Sequence, residues 1–303
     1  MFYLALIFLK LLAFPLSLLP RKLFLALGRG VGALFLKYGF RAPIARSNLA
    51  LAFPEKSTIE RESLLRSSYA ELGVLGLELL RWFYRFDRFV ERYGDVEGEE
   101  HMKAALAEGR GVLAMTAHLG NWEVLAISGP SFLGTGVTMV TKELKPAWLH
   151  RVVEVTRELS GVRMACEPRT MPGILRALKR KEIVGFVMDQ FAGAPVGARV
   201  PFFGIPVGSH TALATLAIRT GAAVVPAIAV RQPNGRYLIR YEPALKLLER
   251  TDPDAAVIAN TALFVRHTEK WVREFPAQWL WIHRRWKGDL SPLPLQAEGE
   301  MLT

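Results

Sequence analysis

The chain begins with a run that is apolar on every face of a helix, from Met1 to Leu19, and Lys10 is its only charged side chain. About 20 helical residues at 1.5 Å each cross a hydrocarbon core of ~30 Å, so a membrane span is one interpretation. Because Lys10 lies mid-run and Pro15 interrupts the helix, a kinked, half-inserted anchor fits equally well. A hydrophobic helix packed on its own domain is the third interpretation.

Basic residues follow this run and none precedes it. Arg21 and Lys22 come directly after it, which argues against a cleaved signal peptide and predicts that the body of the protein stays cytoplasmic. A second apolar stretch, residues 23–40, contains two cations and is typical of an interfacial helix. We therefore predict membrane-anchoring helices over residues 1–40.

Beyond residue 40 the apolar residues recur with helical or strand spacing. Ser57 and Glu60 have capping-box spacing, and apolar residues at three- and four-residue steps continue to Leu80, which predicts a long amphipathic helix. Short apolar runs typical of buried strands lie at residues 111–116, 137–141, 183–188, 222–230 and 237–241. Helical spacing fills the intervals at residues 146–159, 171–179, 209–220 and 252–275.

This alternation predicts an α/β fold with a central, mostly parallel sheet flanked by helices. One continuous domain is expected over residues 41–288, and residues 289–303 form an irregular tail. In such sheets active groups collect at the carboxyl ends of strands. Side chains just beyond those ends are therefore the first candidates for chemistry.

The composition adds an excess of positive charge. Hydrophobic residues make up 51% of the chain, which excludes a disordered protein. The net charge of +11 predicts an anionic partner, namely a lipid surface, a nucleic acid or an acidic protein.

Cys166 is the single cysteine, so no intramolecular disulfide forms, in keeping with a reducing compartment. No histidines have metal-ligand spacing, and we expect no metal.

A histidine and a glutamate lie five residues apart just beyond the strand predicted over residues 111–116. Gly120 permits a sharp turn after His118, and Asn121 is a good N-cap for the following helix. His118 and Glu123 could then meet, and an imidazole beside a carboxylate is a general base for a hydroxyl. Asn121 and the N–H groups at the helix start could stabilise an oxyanion. A histidine that only caps or fills the core is the alternative.

Further motifs follow in order over most of the chain. They are NLALAFP at residues 48–54, EGRGV at 108–112, Asp189-Gln190, VPFFGIP at 200–206, TGAAVVP at 220–226 and WIHRRWK at 281–287. With the His-x4-Glu pair, they resemble the lipid A biosynthesis acyltransferases, the lauroyl and myristoyl late acyltransferases within the lysophospholipid acyltransferase superfamily. The resemblance extends from about residue 40 to residue 288.

The resemblance implies an O-acyltransferase on the cytoplasmic face of the inner membrane. It would move a fatty acyl group from an acyl carrier protein thioester to a glycolipid hydroxyl, without an acyl-enzyme; acyl-CoA is the alternative donor. No cofactor beyond the donor is implied. The chain lacks the Glu-Gly-Thr-Arg block with which the wider superfamily binds glycerol phosphate. A lipid A precursor is therefore the expected acceptor, with a phosphatidylinositol mannoside as the alternative, because residues after Gln190 depart from the acidic continuation common in lipid A enzymes.

The resemblance also assigns roles to residues. His118 would deprotonate the acceptor hydroxyl, and Glu123 would orient His118. Asp189, at the end of the strand over residues 183–188, is a second candidate for that acid, and a helix or loop cap is its other interpretation. Arg157 resembles an arginine near the family's reactive site and could hold a lipid phosphate by a bidentate contact. A solvated arginine on a helix face is the alternative.

Tryptophans alternate with cations between Trp279 and Lys287, a mixture that suits the lipid headgroup zone. Arg284 and Arg285 are candidates for substrate binding there, and a basic rim that only supports the domain edge is the alternative. Nucleic acid is not an expected partner, since no recognition helix, zinc pattern or RNA-binding signature is present. A membrane-anchored lipid-binding protein without catalysis is the rival from another functional class.

Overall fold

Helices and strands alternate along most of the chain in the computed structural model, which describes residues 2–84, 86–166 and 169–291. The helices are α1 (Phe2–Leu18), α2 (Arg21–Lys37), α3 (Ala42–Ala52), α4 (Thr58–Arg81), α5 (Phe86–Tyr93), α6 (Glu99–Ala107), α7 (Trp122–Ser128), α8 (Ala147–Leu159), α9 (Thr170–Lys179), α10 (Ala212–Thr220) and α11 (Pro253–Glu274). The strands are β1 (Gly94–Glu97), β2 (Val112–Thr116), β3 (Val137–Val140), β4 (Val162–Ala165), β5 (Ile183–Val187), β6 (Gly197–Phe202), β7 (Ile205–His210), β8 (Ala223–Arg231) and β9 (Tyr237–Tyr241).

Within the described residues, seven strands form the central sheet in the order β1-β9-β8-β2-β5-β3-β4. The β8–β9 pair is antiparallel, and the other neighbouring strands are parallel. This confirms the predicted α/β fold with a mostly parallel sheet. β2 lies beside β5 with Thr116 opposite Val187. The carboxyl ends of these two strands therefore emerge side by side.

The predicted strands correspond to β2, β3, β5, β8 and β9, each within one residue at either end. The helix predicted over residues 209–220 is wrong at its start, because Ser209 and His210 complete β7, which pairs with β6 in a hairpin. β1 and β4 escape prediction because both are four-residue edge strands without a continuous apolar run. Residues 292–303 of the predicted tail lie outside the described residues.

The long amphipathic helix is confirmed as α4. The Ser57 side chain accepts from the backbone N–H of Glu60, and the Glu60 carboxylate accepts from the backbone N–H of Ser57.

Glycines bring α2 onto α4 at very close range. A Cβ at Gly32 would lie 1.9 Å from the carbonyl oxygen of Tyr69. Only glycine allows this approach, so one face of the second apolar stretch packs on the body of the protein.

The remaining faces of the first two helices carry an exposed apolar surface. Its residues are Leu4, Ile7, Phe8, Leu11, Leu12, Phe14, Leu18, Leu23, Leu27, Leu34 and Phe35, exposed by 39–73%. Within the described residues, no single helix combines the length and apolarity needed to cross a membrane. The bent pair Arg21–Lys37 and Ala42–Ala52, at 95°, meets the criterion by length and composition alone. A helix over the first apolar run is present, and its role as a membrane anchor stays a prediction.

Candidate active site

The turn after β2 places His118 at the carboxyl edge of the sheet. Gly120 adopts the left-handed conformation (φ 62°), and a Cβ there would lie 2.0 Å from the Ala229 carbonyl oxygen, so the sharp turn requires glycine. Asn121 caps α7, with its Oδ1 accepting from the backbone N–H groups of Glu123 (3.1 Å) and Val124 (3.2 Å). The local structure predicted around His118 is therefore confirmed.

Asp189 meets the His118 ring from the neighbouring strand end. His118 Nδ1 lies 2.8 Å from Asp189 Oδ1, and the backbone N–H of His118 donates to Oδ2 at 2.9 Å. Trp279 Nε1 also donates to Oδ2, at 2.7 Å. An ionised carboxylate only accepts, so Nδ1 carries the proton and Nε2 keeps its lone pair. Gln190 Nε2, a donor, lies 3.4 Å from His118 Nε2, in keeping with this tautomer.

Burial differs between the two partners in a way that suits a base and its support. The Asp189 side chain is fully buried, whereas that of His118 is 17% exposed. Burial would raise the pKa of Asp189, but His118, His283 and Trp279 outweigh it and hold that pKa well below its usual range. Burial would lower the pKa of His118, but Asp189 and Glu123 raise it above the ordinary value. The His118 ring is therefore reachable from outside, and Asp189 stays ionised.

Glu123 forms a buried pair with Arg157 instead of a hydrogen bond with His118. Arg157 Nε donates to Glu123 Oε2 at 3.2 Å, and Arg157 Nη2 donates to the other carboxylate oxygen. The guanidinium also lies 5.5 Å over the Trp82 ring. The expectation that Glu123 orients the ring is corrected, since Asp189 makes that contact and Glu123 acts by charge. Arg157 is buried, so it is not a solvated arginine on a helix face, and its Nε–Nη2 edge is occupied by Glu123. A phosphate contact through Nη1 stays a prediction.

The Asn121 side chain is fully buried, and its contacts lie within the protein. Its Nδ2 donates to Glu78 Oε2 at 3.1 Å, and its Oδ1 is taken by the two N–H groups at the start of α7. This geometry does not support an oxyanion role for the Asn121 side chain, and that role stays a prediction. The cap is structural, and it ties the turn after His118 to α4.

Glu78 is the centre of a buried charge network that sequence reasoning missed. Arg231 donates to its two carboxylate oxygens at 2.6 and 3.1 Å, Arg21 Nη2 lies 2.9 Å away, and the Tyr237 hydroxyl also donates to it. Burial would raise the pKa of Glu78, but Arg231 and Arg21 lower it. A carboxylate among the apolar positions of α4 was the signal that could have found this network.

The closing segment faces inward. Trp279, Trp281 and Trp286 are at most 8% exposed. Arg285 is buried and donates to the Gly208 carbonyl oxygen (2.7 Å) and to the Ser209 hydroxyl (2.6 Å). The prediction that these tryptophans and Arg285 meet lipid headgroups is therefore wrong. Arg284 is exposed, and its substrate contact stays a prediction.

His283, in this segment, contacts the backbone of Asp189, and sequence reasoning did not identify this role. Its Nε2 lies 3.0 Å from the Asp189 carbonyl oxygen and its Nδ1 lies 2.7 Å from that of Leu280. Asn48 Nδ2 donates to the backbone of Trp281 and His283 at 2.7 and 2.8 Å. Residues from the first and last motifs thus hold the loop that carries Asp189.

Two cavities border the His118 turn. One is apolar and lies between the sheet and α7, lined by Thr116, Trp122, Leu125, Met139 and Tyr241 among others. The other is more polar and is lined by His118 itself with Glu71, Arg231 and Gln278. Among the described residues, no group of three His, Cys, Asp or Glu side chains converges so as to hold a metal ion.

Comparison with known proteins places this arrangement in context. Residues 1–288 match the model of a family described as bacterial lipid A biosynthesis acyltransferase. The chain is 29% identical to the lipid A biosynthesis lauroyltransferase of Escherichia coli K12, over 89% of this chain and 87% of that enzyme. It is 30% identical to the palmitoleoyltransferase of the same organism, over 89% and 86%. A phosphatidylinositol mannoside acyltransferase of Mycobacterium tuberculosis CDC 1551 is 28% identical over 81% and 77%.

Proposed function

Because the chain belongs to the bacterial lipid A biosynthesis acyltransferase family, we propose that it transfers a fatty acyl group from a carrier thioester to a hydroxyl of a lipid A precursor, with His118 as the general base. Family membership makes the chain an O-acyltransferase acting on glycolipids. The hydrogen bond that the His118 ring donates to Asp189 is the observation that supports the base assignment.

The chemistry follows from the tautomer. Asp189 holds the proton on Nδ1, so Nε2 can accept the proton of the acceptor hydroxyl as its oxygen attacks the thioester carbonyl. The imidazolium that forms is stabilised by the buried carboxylate, and it can return the proton to the leaving thiolate. The ester bond forms, the carbon–sulfur bond breaks, and no acyl-enzyme is needed because the acceptor oxygen is itself the nucleophile.

The acyl chain is proposed to enter the apolar cavity beside this turn, which has a volume of only about 20 Å³ in this structure, so its lining side chains must move to admit the chain. Thr116 and Trp122 lie at its lining and also flank His118 along the chain, so a chain entering it would bring its thioester toward the ring. The cavity is walled by aliphatic, methionine and aromatic side chains. Each buried methylene contributes about 0.8 kcal/mol, so its depth sets the preferred chain length.

The apolar surface supports membrane association. The many exposed leucine and phenylalanine side chains of α1 and α2 need an apolar partner, and the proposed acceptor is a lipid. Lys10 and Lys22 are exposed on these helices, where a bilayer interface favours cations. We place the protein on the cytoplasmic face of the inner membrane, with this surface inserted.

The net charge of +11 also bears on the donor. Acyl carrier proteins are acidic, so a basic enzyme would attract a carrier thioester by long-range electrostatics. Acyl carrier protein is therefore the proposed donor, and competition between equal concentrations of the two thioesters tests it. A clear preference for acyl-CoA would contradict this choice.

The activity test uses the intact protein in detergent with a mixed pool of acylated carrier protein. The acceptors are a lipid A precursor, a phosphatidylinositol mannoside and lysophosphatidate, and mass spectrometry identifies the products. We expect transfer to the lipid A precursor. Preferred transfer to the mannoside would make that relative's activity the better description.

Two variants make the test specific. His118→Ala should abolish transfer, whereas His101→Ala, which removes a partly exposed histidine on α6, should leave it unchanged. Retention of more than a few per cent of activity by folded His118→Ala would refute the base assignment. An intact thioester pool with every acceptor and with the unmodified chain would favour a lipid-binding protein without catalysis.

A further inference from the structure

A second concave site lies away from His118, between the end of α1, the end of α4 and α5. It is a cavity of about 280 Å³, close to the lower end of the roughly 300–1,000 Å³ range of small-molecule pockets. Its lining is Ser17, Leu18, Arg81, Tyr84, Arg88, Phe89, Arg92 and Tyr93. Among these described residues three are arginines and none is acidic.

Two arginines of this cavity, Arg81 and Arg92, are stacked on aromatic rings, and none of the three is paired with a carboxylate among the side chains that the structure describes. The Arg81 guanidinium lies 4.8 Å from the Phe89 ring centroid, and Arg92 lies 5.5 Å from that of Tyr93. No described residue accepts a hydrogen bond from the side chains of Arg81, Arg88 or Arg92. The Nε of Arg81 is buried and has no hydrogen-bond partner among the described side chains. Stacking therefore orients the guanidinium groups and leaves their N–H donors available.

Positive charge accumulates further around the cavity. Arg21 packs over the same Phe89 ring at 5.1 Å, and its Nη1 is another buried nitrogen without a partner. Burial lowers the pKa of Arg81, and the neighbouring Arg21 and Arg92 lower it further, against the opposing effect of Tyr93. Glu78, the nearby carboxylate, is already bound by Arg21 and Arg231. Glu78 offsets part of the mutual repulsion of these cations, and an added anion in the cavity would relieve it further.

The position of the cavity selects the kind of anion. Ser17 and Leu18 form its edge at the end of α1, and Leu18 belongs to the apolar surface, 67% exposed. An apolar surface inserted in a bilayer brings its basic edge to the depth of lipid phosphates. Guanidinium forks match a phosphate group by paired hydrogen bonds. A lipid phosphate thus fits the charge, the donors and the depth.

We propose that Arg81, Arg88 and Arg92 form a binding site for the phosphate of a membrane lipid. The site holds the headgroup at the edge of the apolar surface, while the reaction takes place at His118. Its location at the membrane rests on the proposed function, as does the idea that the phosphate belongs to the acyl acceptor. A neighbouring anionic phospholipid presents the same chemistry.

The test measures binding without turnover. The detergent-solubilised full chain is titrated with dioctanoyl phosphatidic acid, and dioctanoylglycerol serves as the phosphate-free probe. Arg88→Gln/Arg92→Gln removes two exposed guanidinium groups, and Arg176→Gln/Arg219→Gln removes two exposed ones from α9 and α10. We expect the first pair to raise the Kd for phosphatidic acid by about tenfold or more. The second pair should leave it unchanged, and neither should alter binding of dioctanoylglycerol.

If both double variants weaken phosphatidic acid binding equally, the effect reflects net charge alone and the proposal is overturned. The proposal is also overturned if Arg88→Gln/Arg92→Gln does not weaken that binding. Arg81→Lys keeps the charge and loses the fork, so it should also weaken phosphatidic acid binding. Inorganic phosphate that binds as tightly as the lipid would reject a lipid headgroup as the ligand. Because these readings need no catalysis, they stand even if no acyl transfer is found.

A second measurement identifies which lipid carries the phosphate. If it is the acceptor, Arg88→Gln/Arg92→Gln raises the KM for a phosphorylated acceptor, leaves kcat unchanged and leaves the KM of the dephosphorylated acceptor unchanged. If it is a neighbouring lipid, the same variant weakens binding to phosphatidylglycerol vesicles, and the KM values stay as they were. Either pattern supports a lipid phosphate site. If neither pattern appears, the proposal is contradicted.

Discussion

The protonation of His118 depends on two carboxylates that act in different ways. Asp189 touches the ring, and Glu123 raises the pKa of the ring by charge from its pair with Arg157. As the proposed general base, His118 can accept a proton only when its ring is neutral. Because the pKa of His118 is raised, activity should rise with pH through a midpoint above the ordinary value of about 6.5.

Asp189→Asn tests this arrangement. The lost carboxylate no longer raises the pKa of His118 while burial still lowers it, so the midpoint of the pH profile should move to lower pH. We also expect kcat to fall by roughly 10³–10⁴-fold, because the tautomer is no longer fixed. The measurement is kcat/KM between pH 5 and 9, with Asp254→Asn on α11 as the matched control. A midpoint that does not move would show that Asp189 does not control the base.

The buried pair of Glu123 and Arg157 makes a separate prediction about stability. Arg157→Ala leaves a buried carboxylate without its partner, so it should lower the free energy of unfolding by about 3–5 kcal/mol. Adding Glu123→Ala to that variant should cost less than the sum of the two single changes. Urea unfolding of the four proteins measures the difference. Strict additivity would mean that the two side chains do not interact energetically.

Among the elements, the crossing of α2 and α4 is the most sharply defined contact. At Gly32 a methyl group would meet the Tyr69 carbonyl oxygen at 1.9 Å, whereas at Gly30 it would meet nothing within 4 Å. Gly32→Ala should therefore force the helices apart and lower the free energy of unfolding by about 1–3 kcal/mol or more. Gly30→Ala, on the same helix, should be neutral or raise it by up to about 1 kcal/mol. Equal thermal shifts in the two variants would contradict the crossing.

Local patterns predicted what is local in this molecule. The turn through Gly120 and the Asn121 cap follow from residues beside one another, and the buried strands from continuous apolar runs. Asp189 was predicted as the second candidate for the acid beside His118. Its position after a buried strand supports that pairing, because parallel neighbouring strands end together. The partners of Glu123 and Asn121 lie 34 and 43 residues away, on helices whose packing no local pattern specifies.

The tryptophan-rich segment also shows that a local pattern does not specify which side chains are buried. Aromatic and basic residues alternate identically in the sequence whether the rings meet lipid or one another. Here Trp279, Trp281 and Trp286 fill the core, and Arg285 satisfies carbonyl oxygens of the β6–β7 hairpin and the loop before it. Burial of a cation that has several backbone acceptors is a tertiary property. Sequence reasoning therefore located the segment and misjudged the direction in which it faces.

For the molecule as a whole, the apolar surface should govern attachment to bilayers. Leu11→Asp introduces a charge on α1 at a side chain that is 66% exposed, so it should reduce partition into phosphatidylglycerol vesicles by at least tenfold. Ile59→Asp changes an apolar side chain that is 83% exposed on α4, outside this surface, and should not. Vesicle flotation measures both. Equal flotation of the two variants would place the membrane contact elsewhere.

The link from Arg21 to Glu78 has a practical consequence for producing this protein. Arg21 lies at the start of α2, yet it binds the carboxylate that also accepts from Asn121 in the turn after His118. A shortened version that starts at residue 41, made to avoid detergent, would lose that cation and uncover the α4 face that α2 shields. Such a fragment would be a poor surrogate for the enzyme, and screens for inhibitors should use the full chain in a lipid mimic.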